Sequence, residues 1–468
     1  MTSAAGRRYS LKMSQTLDES EVLGGRGANL DRLGSNYDEV KSDAEQAERE
    51  AEYERFVSAH LRRNFIANFL HGMLGLTGFR LIYAPTFIPA YIHRLTGSDA
   101  LVGLGTSLLQ LGAVVSPLIS ATRIEVQRRI LPYAIRTGSM MRVMVLGLAF
   151  AGWFLRGEVL LVVTLGLFFL LGIFNGTQRV AFQMLMAKVI PMRRRGRLQA
   201  WRNVTGGLIA AALSYLAGRY LIGRDVWGNG FATTFFCAFV LTSLGLMALQ
   251  FALKEPDPPT RRRPMRFVDR LREFPVLLED RDYRWFILAE ALTVCARIAS
   301  PFYVLYAGKT LGLSGATLGE LSLAYLGSDT VSNLLWGQLG DRTGYRITFL
   351  IAAGVWAAGI ALIVTVHQPW AIMLAFCGFG AGNSGYLMSQ QTMVLEFGKP
   401  DDVAMRLALS TVIEGLISSI GPLMGGLLAT TVGYGALMCG SGGFLFSAFL
   451  LLLFKVKEPR RRLKRMAA

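Results

Sequence analysis

Long apolar runs alternate with short polar breaks from about residue 65 to residue 455. Each run holds roughly 20 residues or more, enough for a helix to cross a hydrocarbon core about 30 Å thick. The pattern predicts six such helices at 65–92, 100–122, 133–154, 159–186, 199–222 and 231–253. After a polar linker it predicts six more, at 284–308, 316–338, 347–366, 369–394, 406–429 and 434–455. The expected fold class is therefore an all-α membrane protein of twelve transmembrane helices in two six-helix halves.

The polar stretches complete the domain plan. Residues 1–62 form an amino-terminal tail, polar and expected to be partly disordered. Asp43 to Arg62 has helix-forming composition with Tyr53, Phe56, Val57 and Leu61 on one face, which fits a surface helix or a solvated tail equally. Residues 63–253 are the first bundle and 284–455 the second, with a basic tail at 456–468. The linker, 254–283, opens Lys-Glu-Pro-Asp-Pro-Pro, which ends a helix. Phe267, Val268, Leu271 and Phe274 then share a face, predicting an amphipathic helix on the cytoplasmic surface.

Composition agrees with this plan. Of 468 residues, 52% are hydrophobic and 17% charged, too apolar for a soluble protein. The net charge of +17 does not point to nucleic acid, because the arginines sit in alternate short loops. Arg123, Arg128 and Arg129 follow the second run, Arg193, Arg194, Arg195 and Arg197 the fourth, and Arg342 and Arg346 the eighth. The positive-inside rule puts these loops and both termini in the cytoplasm, with no cleavable signal at the polar amino terminus.

The four cysteines lie in apolar runs without metal-ligand spacing, and the four histidines are scattered, so no metal or cofactor is expected. Gly380-Ala-Gly382-Asn-Ser-Gly385 fits a dinucleotide fingerprint but lies in mid-span, where small residues serve close helix packing. No Walker motif, nucleophile-base set or metalloprotease motif is present, so the chain does not read as an enzyme.

Two features tie the halves together. Pro191 through Leu198 matches Pro400 through Leu407, the sign of an internal repeat. The loop after the eighth run reads Gly337-Gln-Leu-Gly-Asp341-Arg342-Thr-Gly344-Tyr-Arg346, with Gly337 and Gly344 expected to bracket a tight turn. Glu125 stands at the equivalent place after the second run, in a degraded copy. With six runs on either side of a basic linker, these residues resemble the major facilitator superfamily. Tyr345 departs from the pattern of its signature loop. The resemblance implies transport by alternating access. It also implies that such loops clamp the cytoplasmic ends of opposite halves. Asp341 would then lie close to Arg197 and Arg202, and Glu125 close to Arg406.

In that family the first, fourth, seventh and tenth helices line the cavity. Arg80 and Arg297 stand midway along the first and seventh runs, and the repeat superposes them. Each precedes a proline, Pro85 or Pro301, which should kink its helix. Two guanidiniums facing one cavity would hold an anionic group; the bland alternative is that each is neutralised by a carboxylate and binds helices together. Glu290, on the same face as Arg297, is either that residue's partner or a protonatable group. Asn175, Gln178, Arg179 and Gln183 on the fourth helix, with Asn383 and Gln390 on the tenth, are candidates for substrate contact or interhelical bonding. Asp329 and Glu414 are further intramembrane acids, candidates for proton coupling or for a gating pair.

The resulting expectation is a secondary active transporter of a small or amphiphilic organic anion, monomeric, proton-coupled, and set in a bacterial inner membrane. The alternatives are a proton-driven multidrug or metabolite exporter, a lipid-like flippase, and a receptor or scaffold that does not transport.

Overall fold

The computed structural model describes residues 46, 48–125, 129–257, 274–397 and 403–458. One compact unit comprises residues 1–59 with 258–260, and in it residues 48–59 are helical. The second, 60–257 with 261–468, contains the membrane-length helices. The expected linker helix lies outside the described residues, apart from one turn at Phe274–Leu277.

Among the described residues, eleven helices are long and apolar enough to cross a membrane. In chain order the first seven are Leu61–Thr96, Asp99–Ser116, Leu131–Phe154, Gly157–Val189, Met192–Ile222, Gly230–Ala252 and Arg281–Leu311. The last four are Tyr345–Thr365, Pro369–Glu396, Met405–Thr431 and Gly433–Phe454. Between them runs Gly315–Thr343, of 29 residues. At 1.5 Å per residue it is about 43 Å long, ample for a crossing; Glu320, Asp329 and Asn333 make it more polar than the others. It is the eighth of the twelve expected spans. With an even number of crossings, residues 60 and 458 emerge on one face, here called proximal, and the opposite face is distal.

Helix ends overrun the apolar runs. The fifth span starts at Met192, and the eighth continues to Thr343. Hydropathy reports the part that meets lipid, whereas backbone hydrogen bonding continues into the polar layer. One consequence corrects the expected turn: Gly337 lies inside the eighth helix. Gly344 alone makes the corner, at φ 95°, which a residue with a Cβ adopts poorly.

Both arginine-bearing helices break next to the arginine. The first span is helical over Leu61–Ile82 and again over Phe87–Thr96, with Pro85 in the gap. In the seventh, Arg281–Ala296 passes into a 3₁₀ stretch, Arg297–Phe302, that contains Pro301. Proline has no N–H to donate and clashes with the preceding turn, so both breaks follow from sequence.

The halves meet along two seams, the second span on the eleventh and the eighth on the fifth. Glycine sets the approach at each. A Cβ on Gly103 would come within 2.3 Å of the Pro422 carbonyl oxygen, and one on Gly218 within 2.4 Å of the Gly319 Cα. Gly103 and Gly319 each lie five residues after a serine that caps its helix. Ser98 accepts from the Leu101 N–H, and Ser314 from the Thr317 N–H.

Candidate functional site

A cavity of about 370 Å³ lies between the halves, walled by the first, second, seventh, eighth, tenth and eleventh spans. Arg80 and Arg297 both line it, one from each half. Each guanidinium is already matched. Arg80 Nη2 lies 2.8 Å from Asp329 Oδ2, and its Nη1 donates to Thr330 Oγ1 at 3.0 Å. Arg297 Nη1 lies 2.9 Å from Glu414 Oε1. The first pair crosses from one half to the other; the second stays within the carboxyl-terminal half. The cavity wall thus carries Arg80, Arg297 and Asp329, while Glu414, the partner of Arg297, is not among the residues that line it. The rest of the wall mixes apolar side chains, among them Ile88, Leu109, Ile298, Leu387 and Ile417, with polar ones, Tyr83, Thr106, Gln110, Ser300, Tyr325, Asn383 and Ser418.

The closest backbone approaches between the halves fall on the distal side of these pairs. They include Gly103 with Pro422, Gly426 with the Asp99 carbonyl, and Gly218 with Gly319. Thr86 and Ser322 hydrogen-bond across the same level, and Tyr434 donates to Asp99 Oδ1 at 2.6 Å. The distal ends of the halves are therefore locked together above the cavity.

Glu290 is not the partner of Arg297, which takes Glu414 instead. Seven residues separate Glu290 from Arg297, about 10 Å along a helix, and the carboxylate on the eleventh span is nearer. Glu290 is fully buried. Its Oε1 accepts from Gln390 Nε2 at 2.8 Å and from Ser410 Oγ at 2.6 Å, while its Oε2 has no hydrogen-bond partner among the described residues. Gln390 accordingly belongs to this network rather than to the cavity wall.

The fourth helix does not supply the cavity. Asn175 is half-buried, Arg179 and Gln183 are exposed, and none of the three lines it. Gln178 turns inward and accepts from Thr137 Oγ1 at 2.8 Å. Spacing made one face polar without saying which way that face points.

The loop residues are spread over several partners. Tyr345 Oη donates to Asp341 Oδ1 at 3.3 Å. Arg202 stacks on Phe182, with its carbon 4.6 Å from the ring centre, inside its own half. Arg197 and Arg342 are exposed. Arg346 donates to the carbonyls of Leu452 and Leu453 at 2.9 and 2.8 Å, closing the end of the last helix. Arg406 is buried against Asp280 at 3.4 Å and lies over the Tyr283 ring. The side chain of Glu125, its expected neighbour, lies outside the described residues.

Three arrangements were missed in the sequence. Arg142, in the third span, is 3% exposed and donates to the Thr242 and Gly138 carbonyls; an arginine in the middle of an apolar run was its signal. Glu255 accepts from the Ile130 and Leu131 N–H groups at 2.7 and 2.8 Å and pairs with Lys188 at 2.7 Å. Glu458 accepts from the Arg346 N–H at 3.3 Å. Each glutamate sits in a Lys-Glu-Pro tripeptide just past a sixth-helix end, at 254–256 and 457–459, and each holds the start of the third helix of its half. The repeated tripeptide was legible.

The sequence profile of the Major Facilitator Superfamily matches residues 286–468. The multidrug resistance protein MdtG of Salmonella paratyphi C is 24% identical over 423 residues, spanning 87% of this chain and 98% of that protein. MdtG of Salmonella arizonae is 24% identical over 409 residues, 84% of this chain and 95% of the relative. Among solved structures, the D-xylose-proton symporter superposes with a TM-score of 0.64 at 15% identity, covering 86% of this chain and all but 1% of that one. The nucleoside transporter NupG gives 0.61 at 13%, over 84% of this chain and 99% of that one. The human organic anion transporter MFSD10 gives 0.59 at 14%, over 84% and 99%. With twelve helices in two halves around a cavity, the Asp341 loop and these likenesses, the chain is an integral membrane protein with the fold of the major facilitator superfamily, whose profile its residues 286–468 match.

Proposed function

We propose that this transporter exports a small amphiphilic molecule in exchange for protons, using the cavity between Arg80 and Arg297. The observation that carries the reading is the Arg80–Asp329 pair, which joins the two halves within the cavity wall. Because each arginine has its carboxylate, the cavity makes no net demand for an anion, and its mixed apolar and polar wall suits an amphiphile. Asp329 and Glu414 are the exchangeable acids. A substrate with a cationic or donor group binds the carboxylate, whereas a proton removes that charge, so the two compete and move in opposite directions. Opening the distal seam also requires Arg80 and Asp329 to separate. A proton on Asp329 weakens their bond, which links proton binding to the rearrangement. Glu290, buried beside Gln390 and Ser410, is a second proton carrier, since an ionised carboxylate without a cation is costly there. The relatives named multidrug resistance proteins support export.

A second reading, transport of an organic anion, is favoured by the exposure of the arginines, whose side chains keep 23% and 26% of their surface open. In that case a proton on Asp329 frees Arg80 for the anion, and the two travel together. The sign of the coupling therefore separates the readings. Counterflow in proteoliposomes, with a pH gradient imposed in either direction, tests both: exchange driven by opposite proton movement supports export, and co-movement supports the anion. The loop arginines further support cytoplasmic termini, and we infer a monomer in a bacterial inner membrane.

A further inference from the structure

A second cavity, of about 680 Å³, lies at the proximal ends of the first and fifth spans, away from the transport cavity. Its apolar wall is Phe65, Ile66 and Phe69 from the first span with Trp201 from the fifth. Its polar rim is Arg193, Arg194 and Arg197. Along the fifth helix the residues at 193/194, 197 and 201 recur at three or four residues, so they share one face. From Arg193 to Trp201 is about 12 Å of helix, with charge at the end and aromatic surface deeper.

The three arginines are exposed and make no side-chain hydrogen bond or ion pair among the described residues. Arg195 behaves differently, donating to the Ile190 and Ala187 carbonyls. Ile66 and Trp201 are 47% and 52% exposed, so the apolar part of the groove is uncovered as well.

We infer that this groove binds one anionic phospholipid of the proximal leaflet, its phosphate on Arg193, Arg194 and Arg197 and an acyl chain on Phe65, Phe69 and Trp201. Charge complementarity argues for the occupant. Guanidiniums bind phosphate in bidentate fashion, and basic pockets between spans at this depth suit anionic headgroups. A zwitterionic lipid carries its own ammonium and would leave three arginines undercompensated. The groove borders the fifth span, which also forms a seam with the eighth, so an occupant would bear on the helix that must move. The inference does not depend on what the protein transports.

The full chain, purified in detergent, would be melted with added phosphatidylglycerol, phosphatidylcholine or inorganic phosphate. The expected result is a rise in Tm of several degrees with phosphatidylglycerol alone, reduced by more than half in the Arg193→Gln/Arg194→Gln/Arg197→Gln variant. Brominated phosphatidylglycerol should quench tryptophan emission in the wild type and quench it less in Trp201→Phe, which locates the lipid without relying on the triple variant's fold. Equal shifts with phosphatidylcholine, an equal shift with inorganic phosphate, or quenching unchanged in Trp201→Phe would overturn the inference.

Discussion

Arg80 and Asp329 meet at 2.8 Å across the boundary between the halves, one on the first span and the other on the eighth. In alternating access that boundary must open and close, so a bond across it is broken and remade in each cycle. Its counterpart, Arg297 with Glu414, lies within one half and need not break. The pseudo-symmetric arginines thus have different duties, although their positions in the repeat are equivalent.

Removing one member of the crossing pair strands the other in a poorly hydrated wall. Arg80→Ala and Asp329→Ala should each cost about 2 kcal/mol, below the roughly 3–5 kcal/mol of a fully buried pair, because Arg80 is partly exposed. The double variant should cost less than the two singles added. Thermal unfolding of the four proteins measures the cycle; strict additivity would mean that the two groups do not interact.

Glu290→Gln keeps the shape of the buried network and the Ser410 hydrogen bond while removing an exchangeable proton. Substrate counterflow, which needs no net proton movement, should persist near the wild-type rate. Accumulation driven by a pH gradient should fall at least tenfold if Glu290 carries protons. Equal losses in both assays would assign Glu290 to folding alone.

At the distal seam, Gly319→Val places methyl groups where the fifth helix now sits; a Cβ alone would lie 2.7 Å from the Tyr215 carbonyl oxygen. Overpacking of this kind costs about 1–3 kcal/mol, here charged to the distally closed state. Spin labels at Arg224 and Leu313, both exposed, should move apart in the variant and stay close in the wild type.

The two Lys-Glu-Pro caps should differ in weight. Glu458→Gln weakens the charged contact to the Arg346 N–H at a helix start, about 1 kcal/mol. Glu255→Gln also removes the carboxylate charge 2.7 Å from the Lys188 ammonium, whose side chain is only 10% exposed, and should cost about 2–3 kcal/mol. A melting comparison in one detergent decides the order.

The helix plan was legible because membrane crossing imposes a length and a composition on every span, and Pro85 and Pro301 announced the breaks. Arg80 and Arg297 were recognisable because a charge in mid-span has few uses. Their partners were less so. Asp329 and Glu414 lie on spans that resemble structural ones in sequence, and pairing depends on rotation about each helix axis, which spacing does not give. The same blindness misassigned the fourth helix, where Asn175, Arg179 and Gln183 lie off the cavity. Gly103 and Gly319 read as ordinary small residues; only the approach of the opposite backbone shows why nothing larger fits.

The most direct test is accumulation of a cationic amphiphile such as ethidium in proteoliposomes with an acidic interior, comparing wild type with Asp329→Asn. Protons leaving should draw the dye in, and the wild type should concentrate it severalfold over protein-free liposomes. Asp329→Asn, which mimics the protonated acid and offers the cation no charge, should lose that concentration. Accumulation that requires an alkaline interior, or that is unchanged by Asp329→Asn, would contradict proton exchange through the pair that joins the halves.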